Sequence, residues 1–298
     1  MGPGLAEGRL IRWVFAGGKP QGICVLRRAI ERGRPPALIV WPPELPAADQ
    51  AALNSLADGA GIPTASSANL EDRVGDLSGV DLLLTCRFGL LKPPVFEAPR
   101  LGAVNVHSSL LPRYRGVHPV AWALIRGERV TGVTVHRIDA KVDTGPILAR
   151  IEVPIAAEDD IWSLTAKLDA ASADAVDEVL EAVVRTGRLP PARPQTGDAS
   201  SAPRRRPEDG RIDWSASARG VHDLCRALRP PLPPPFAFTA DDDRVEVLDS
   251  RLSPGSRPAV PAGTVVETVD RGWYAIACGD GVVELRTDIP LASGTRLS

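Results

Sequence analysis

The sequence predicts an α/β fold: a doubly wound, mostly parallel sheet followed by a small C-terminal barrel-like domain. Three observations carry this. Short apolar runs alternate with segments of helical period through the first 190 residues. A proline-rich stretch with Pro190, Pro191 and Pro194 breaks that rhythm through Ser201. Beyond it, strand-like runs separated by turn signals follow one another. At 298 residues, 44% hydrophobic and 24% charged, the chain can bury one substantial core and a second, smaller one. The expected boundaries are a first domain over 10–190, a linker over 191–203 and a second domain over 204–298.

In chain order, Arg12 to Ala16 reads as a buried strand running into Gly17-Gly18, and the spacing of Ile23, Leu26 and Ile30 predicts a helix after it. Ala37 to Trp41 is a strand stopped by Pro42-Pro43, and an alanine-rich helix runs from about Ala47 to Ala60. Ile62-Pro63 opens a short extended piece. The run from Val80 to Thr85 fits a parallel strand buried on both faces. A further strand carries Asn105 at its end, and Gly132 to Ile138 forms another. Leu164, Leu168, Ala171, Ala175, Val179 and Val183 mark one face of an amphipathic helix that closes the first domain. In the second domain a helix near Ser217 to Leu228 precedes strands at Arg244 to Leu248, Gly263 to Val269, Trp273 to Cys278 and Val282 to Leu285. The leading Met1-Gly2-Pro3-Gly4 reads as flexible or partly foreign to the natural chain and carries no fold expectation.

Composition narrows the function. The formal net charge is -2, so the whole chain offers no basic footprint for nucleic acid. Cys24, Cys86, Cys225 and Cys278 are scattered, without metal spacing, and read as free thiols of a reducing, cytoplasmic compartment. No apolar run reaches the roughly 20 residues that span a bilayer. Asp241-Asp242-Asp243 is a polar turn, and no metal site is expected.

The densest chemistry lies between Asn105 and Pro154, which holds three of the four histidines. Val104-Asn105-Val106-His107 alternates apolar and polar, so Asn105 and His107 face one side of a strand end. An amide donor beside an imidazole suits an oxyanion site with a general acid or base. The loop from Asp139 to Gly145 carries Asp143 and can return a carboxylate to His107. The same residues also read more plainly: Asn105 as a turn cap, His107 as a half-buried residue, Asp143 as the start of a turn.

Asn105-x-His107, then Ser109-Leu110-Leu111-Pro112-x-Tyr114-Arg115-Gly116, then Thr131-Gly132-Val133-Thr134 and Asp143-Thr144-Gly145 together resemble the signature of the folate-dependent formyltransferases. That family includes methionyl-tRNA formyltransferase, amino-sugar-nucleotide N-formyltransferases and glycinamide ribonucleotide formyltransferase. The resemblance implies a Rossmann-like catalytic domain with a C-terminal OB-like domain. It implies N10-formyltetrahydrofolate as co-substrate and a primary amine as acceptor. Asn105 and His107 would hold the developing oxyanion, and Asp143 would orient the imidazole and relay the amine's proton. Ser108, Ser109, Leu110, Leu111 and Pro112 resemble the segment that packs on the folate, with Arg87, Phe88, Gly89, Ile138 and Asp139 lining the same pocket. Phe15-Ala16-Gly17-Gly18 resembles the first strand and loop of the family, which places Gly17 and Gly18, with Tyr114, Arg115 and His118, on the acceptor side. His118 also fits a plain helix start beside Pro119.

Other residues read as framework. His136 alternates with Val133 and Val135 on a strand and fits packing or surface, His222 and Trp214 read as structural, and Arg204-Arg205-Arg206 as solvated linker arginines. For the acceptor, residues 204–298 hold 13 Lys plus Arg against 14 Asp plus Glu, a net of -1. Thr85-Cys86-Arg87-Phe88-Gly89 replaces the Val-Ala-Tyr-Gly-like segment usual in the tRNA enzymes. Both departures favour a small amine, an amino sugar linked to a nucleotide, over tRNA. A formyltetrahydrofolate hydrolase is the more distant alternative. Pairing of two chains through exposed C-terminal strands would make a homodimer.

Overall fold

The computed structural model describes residues 11–67, 70–253 and 258–298. Met1 to Gly4 and residue 10, the expected first residue of the catalytic domain, lie outside the described residues. In chain order the elements are β1 (Trp13–Gly17), α1 (Lys19–Glu31), β2 (Leu38–Trp41), α2 (Ala47–Ala60), β3 (Thr64–Ser66), β4 (Leu82–Cys86), α3 (Pro93–Glu97), β5 (Ala103–His107) and β6 (Arg115–Gly116). Then follow α4 (Pro119–Ile125), β7 (Val130–Arg137), β8 (Ile147–Pro154), α5 (Ile161–Thr186), β9 (Ser201–Ala202), α6 (Ala218–Ala227), β10 (Phe236–Phe238), β11 (Arg244–Leu252), β12 (Val265–Asp270), β13 (Trp273–Ala277) and β14 (Val282–Thr287). The chain divides into two compact units. The first comprises residues 1–116, 130–154 and 165–201, and the second 117–129, 155–164 and 202–298.

The first unit is built on a seven-stranded sheet in the order β3-β2-β1-β4-β5-β7-β8. The five strands from β3 to β5 are parallel, while β7 and β8 each run antiparallel to their neighbour. β1 and β4 are buried along their whole length, as parallel strands covered on both faces must be. Val14, Ala16, Leu83 and Ala103 form a core with Leu70, Leu77, Val95 and Phe96. Close approach at the end of β1 explains Gly17: a Cβ there would meet the Cys86 carbonyl oxygen at 2.1 Å. The expected amphipathic helix is α5, whose Leu164, Leu168, Ala171, Ala175, Val179 and Val183 are all buried. Its acidic side meets the end of α1, where Arg34 pairs with Asp177 at 2.6 Å and Glu181 at 3.4 Å.

Sequence reasoning missed β8, a strand whose outer edge is met by an isolated bridge between Ile147 and Arg193. The proline-rich stretch is therefore not free chain. Part of it lies against this sheet, and Ser200 accepts from the backbone of Arg115 at 2.9 Å.

The second unit holds a five-stranded antiparallel sheet, β10-β11-β14-β13-β12, with α6 lying against β11, β14 and α4. Ser217 caps α6 by accepting the Gly220 N–H. Asp223, buried on that helix, pairs with Arg226 at 2.6 Å, and Arg226 donates onward to the carbonyls of Ala156 and Asp159. Trp214 is buried as expected, and Nδ1 of His222 meets the Ser250 hydroxyl at 2.9 Å. Burial pushes the thiols of Cys86, Cys225 and Cys278 up to about 12, which leaves them as inert packing groups. Among the described residues no helix is long and apolar enough to cross a membrane.

Burial separates two leucines near the end of β4, Leu83 within the strand and Leu90 four residues past it. Leu83→Ala, at a fully buried position, should cost about 2 to 5 kcal/mol. Leu90→Ala, at a position 84% exposed, should stay within about 0.5 kcal/mol. Urea unfolding midpoints of the two variants check this.

Candidate active site

Strand register brings three polar side chains into one row. Thr85 on β4 is aligned with Asn105 on β5, and Asn105 with His136 on β7. Aligned residues on neighbouring strands point to the same face, and the alternation along β5 puts His107 on that face too. The Thr85 hydroxyl donates to Asn105 Oδ1 at 2.9 Å, which turns the amide nitrogen toward His136 Nε2 at 3.3 Å. His136 Nδ1 lies 2.8 Å from the Arg137 carbonyl. A carbonyl only accepts, so Nδ1 carries the hydrogen and Nε2 presents its lone pair to Asn105. One hydrogen of the Asn105 amide is thereby used and the other stays uncommitted.

His107 is oriented by the same logic. Its Nε2 is 2.8 Å from the Tyr114 carbonyl and must donate there, which leaves Nδ1 as the nitrogen that gains or loses a proton. Nδ1 faces Asp143 Oδ2 at 3.5 Å, while Asp143 Oδ1 faces His136 Nε2 at 3.5 Å. Both imidazoles thus flank one carboxylate, which also accepts the Gly116 N–H at 2.9 Å. The expectation that a ring N–H of His107 points at an oxyanion is not met in this arrangement, because that hydrogen is spent on Tyr114. The uncommitted hydrogen of Asn105 is the donor in the site.

Burial and charge oppose each other at these groups. Burial pushes the His107 imidazole below its ordinary value; Asp143 and the Tyr114 carbonyl resist this, and His136 and Arg87 add to it. At Asp143 burial works to raise the carboxyl. The contacts with His136, the His107 imidazole and the Gly116 N–H outweigh it and hold Asp143 below the usual carboxylate range.

Several residues expected at the cofactor or acceptor are also bonded into the framework around this cluster. Thr134 pins the loop after β5: its hydroxyl donates to the Ser109 carbonyl at 2.7 Å and accepts the Leu111 N–H at 3.1 Å. Ser109 donates to Arg113, the Leu110 side chain packs over Gly132, and Leu111 leads into a cis bond to Pro112. Tyr114 has a φ of +61° and donates its N–H to Ser200, so its contribution is the carbonyl that holds His107. Arg115 is bonded to Gln195. Asp139 closes its own loop by accepting from Thr144 at 2.7 Å and from the Lys141 N–H. Phe88 and Ile138 are partly buried against the core, Gly89 is exposed, and Gly18 packs on Leu45. His118 belongs to the second unit, where Nδ1 accepts the Arg205 N–H at 3.1 Å.

A second polar cluster adjoins the first, and of its members Ser108 and Arg87 were expected near the cofactor while Gln21, Asp169 and Ser172 were not. Gln21 donates to Ser108 at 3.0 Å and to Ser172 at 2.8 Å, and accepts from Arg87 Nε at 2.8 Å. Asp169 on α5 is 5% exposed, and its Oδ1 has no hydrogen-bond partner. Burial raises its carboxyl to about 6, against the pull of Arg87.

His136 was read as packing or surface and stands instead at the centre of the site, in contact with Asn105 and Asp143. Thr85 and Gln195 were missed as well. A signal for His136 existed: Thr134 and His136 alternate on one face, as Asn105 and His107 do. Its use required knowing that β7 pairs with β5. Among the described residues no group of His, Cys, Asp and Glu side chains could hold a metal ion.

A Rossmann-like sheet bearing an amide, two imidazoles and a buried carboxylate near the ends of adjacent strands defines an acyl-transfer type of site. A formyl transferase model matches residues 59–180, and a formyl transferase C-terminal domain model matches residues 205–297. The methionyl-tRNA formyltransferase of Thermodesulfovibrio yellowstonii is 32% identical over 256 residues, spanning 81% of this chain and 82% of the relative. The chain belongs to the formyl transferase family and is a formyl-transferring enzyme. In fold it is similar to a sugar 3N-formyl transferase crystallised with dTDP and 5-N-formyl-THF, with a TM-score of 0.71 at 18% identity over 95% of this chain and 100% of that one. It is likewise similar to an N-formyltransferase from Helicobacter canadensis in complex with folinic acid and dTDP-3-aminofucose, with a TM-score of 0.70 at 16% identity over 93% and 98%.

Two measurements probe the electrostatics. A neutral His107 is required for proton acceptance, and its proton affinity is depressed, so the acid limb of kcat/KM should lie below the ordinary histidine value of about 6.5. A limb above it would contradict the assignment of the titrating group. For Asp169, a raised carboxyl favours folding while it is protonated, and that contribution is lost as pH rises through about 6. Asp169→Asn should therefore raise stability at pH 8 by on the order of 2 kcal/mol and leave it unchanged at pH 4. An equal effect at both pH values would refute the reading.

Proposed function

We propose that this enzyme transfers the formyl group of N10-formyltetrahydrofolate to the primary amine of a small acceptor, an amino sugar linked to a nucleotide. The observation that carries the chemistry is the Asn105, His107, His136 and Asp143 cluster, with one free amide hydrogen and one open imidazole nitrogen around a buried carboxylate.

The donor supplies the activated formyl carbon. Residues 85–90, 108–112 and 138–142 would hold it. On two of these segments Leu90 is 84% and Val142 48% exposed, and Phe88 and Ile138 are partly buried. Apolar side chains left open to solvent suit the flat ring of a folate. The two solved relatives named above carry 5-N-formyl-THF and folinic acid.

Each group then has a task. The acceptor nitrogen bonds to the formyl carbon, and the bond from that carbon to the donor nitrogen breaks. Asn105 donates its free hydrogen to the oxygen as negative charge builds on it; loss of one such donor costs about 3 kcal/mol in a well-studied hydrolase. His107 Nδ1 takes the proton that the amine releases, and Asp143 stabilises the resulting imidazolium until the proton is passed to the departing nitrogen. His136 fixes the amide of Asn105 and shares the carboxylate.

The choice of acceptor rests on the polar cluster next to His107. Gln21, Ser108 and Ser172 are buried and joined by hydrogen bonds, and Asp169 offers an unused carboxylate oxygen. That unused oxygen would accept from an acceptor hydroxyl and would have nothing to gain from a thioether. The net charge of -1 over residues 204–298 also provides no platform for a phosphate backbone. A second reading, methionyl-tRNA as acceptor, is favoured by the 32% identity to the Thermodesulfovibrio enzyme.

Formyl transfer from N10-formyltetrahydrofolate, run in parallel with initiator methionyl-tRNA and a panel of nucleotide-linked amino sugars and read by mass spectrometry, decides between them. The expected product is a formylated sugar. Formylation of the tRNA alone would overturn the proposed acceptor. In the productive assay, Asn105→Ala and His107→Ala should each lower kcat by at least about 100-fold.

A further inference from the structure

Gln195 lies in the proline-rich stretch, 50 residues beyond the Asp143-Thr144-Gly145 turn, and its side chain is fully committed. Oε1 accepts from Arg115 twice, from Nε at 3.2 Å and from Nη2 at 2.7 Å. Nε2 donates twice, to the carbonyl of Asp143 and to that of Gly145, both at 2.8 Å. Two lone pairs and two hydrogens are all used. The amide has one workable orientation, since a flip would set its oxygen against two carbonyls and its NH2 against a guanidinium. From the other side, Gly116, the neighbour of Arg115, donates its N–H to Asp143 Oδ2 at 2.9 Å. Arg115-Gly116 thus grips the loop directly through the carboxylate and indirectly through Gln195.

The held loop is not relaxed. Asp143 sits at a φ of +52°, a region that disfavours side chains other than glycine by about 1 to 2 kcal/mol. Gly145 is pressed so closely on β7 that a Cβ would lie 1.8 Å from the Arg137 carbonyl oxygen. The result is a carboxylate set 3.5 Å from each of two imidazole nitrogens.

We propose that Gln195 and Arg115 are positioning residues for the reaction: together they hold Asp143 between His107 and His136 and so set how readily His107 accepts a proton. This rests on the proposed role of His107. The groups that face its ring are Asp143 from the loop, the Tyr114 carbonyl, His136 on β7 and Arg87 after β4. Asp143 and the carbonyl favour the protonated ring; the other two oppose it. If the clamp is released, Asp143 moves away and His107 binds its proton more weakly.

Gln195→Leu keeps the bulk and removes all four hydrogen bonds, and Arg115→Leu releases the clamp from its far end. Both are compared with Asp143→Asn after circular dichroism and thermal melting show folded protein. With N10-formyltetrahydrofolate and the acceptor identified above, Gln195→Leu should lower kcat about 10- to 100-fold, with KM for the formyl donor within about twofold. Its acid limb should move to lower pH, toward that of Asp143→Asn. The Gln195→Leu/Asp143→Asn double variant should be no slower than Asp143→Asn alone. Independently of any acceptor, the His107 imidazole titration followed by NMR should fall to lower pH in Gln195→Leu, Arg115→Leu and Asp143→Asn alike. An unchanged His107 titration in folded Gln195→Leu, or rate losses that multiply in the double variant, would overturn the clamp. A wild-type enzyme that formylates nothing would instead overturn the proposed reaction, while the NMR comparison would still decide whether the clamp exists.

Discussion

Asp143 is a carboxylate removed from most of its water, and much of the first unit is arranged around the need to compensate that charge. Desolvation alone would drive it toward the neutral form. The Gly116 N–H donates to Oδ2, and a proton gained by His107 Nδ1 faces the same oxygen at 3.5 Å, so the ionised form is held. Each of those partners has its own anchor. Tyr114 holds His107, the Arg137 carbonyl holds His136, and Gln195 holds the backbone on either side of Thr144. A charge buried without such partners would be neutralised.

The sheet supplies the geometry that makes this convergence possible. β5 is the last parallel strand and β7 the first antiparallel one. At that junction Asn105 and His136 come side by side, with Thr85 completing the row from β4. The hydroxyl, amide and imidazole then polarise one another in a single direction, Thr85 to Asn105 to His136, and a defined orientation follows for each. The amide hydrogen left over is thus held by a rigid ladder and not by a loop, which is the preorganisation that oxyanion stabilisation requires.

Much of the fold was legible because its signals are local. The apolar runs at residues 12–16, 37–41 and 80–85 became β1, β2 and β4, and the six positions named on the closing helix are all buried in α5. β8 escaped because Ile147 to Pro154 includes Arg150 and Glu152, and an edge strand with an exposed side lacks the continuous apolar run of its buried neighbours. In the site, Asn105, His107 and Asp143 were legible through their spacing and their resemblance to a known signature. His136 was set aside for a physical reason: a histidine on a strand looks the same whether its neighbour is a valine or an asparagine. Tyr114 and Arg115 were singled out by the same signature, and what the sequence did not tell was that the Tyr114 carbonyl meets His107 and the Arg115 side chain meets Gln195.

Side-chain alternation, helical period and the glycines that close approach demands are properties of neighbouring residues, so the sequence by itself determined the α/β class and the family, and it singled out Asn105, His107 and Asp143 by their spacing. Tertiary structure decided what depends on distance along the chain. Gln195 reaches a loop about fifty residues away, Gln21 bonds to Ser172 across 151 positions, and His136 finds Asn105 only through the pairing of two strands. Hydrogen bonds reach about 3 Å, and no local pattern records which remote segment will arrive within that distance.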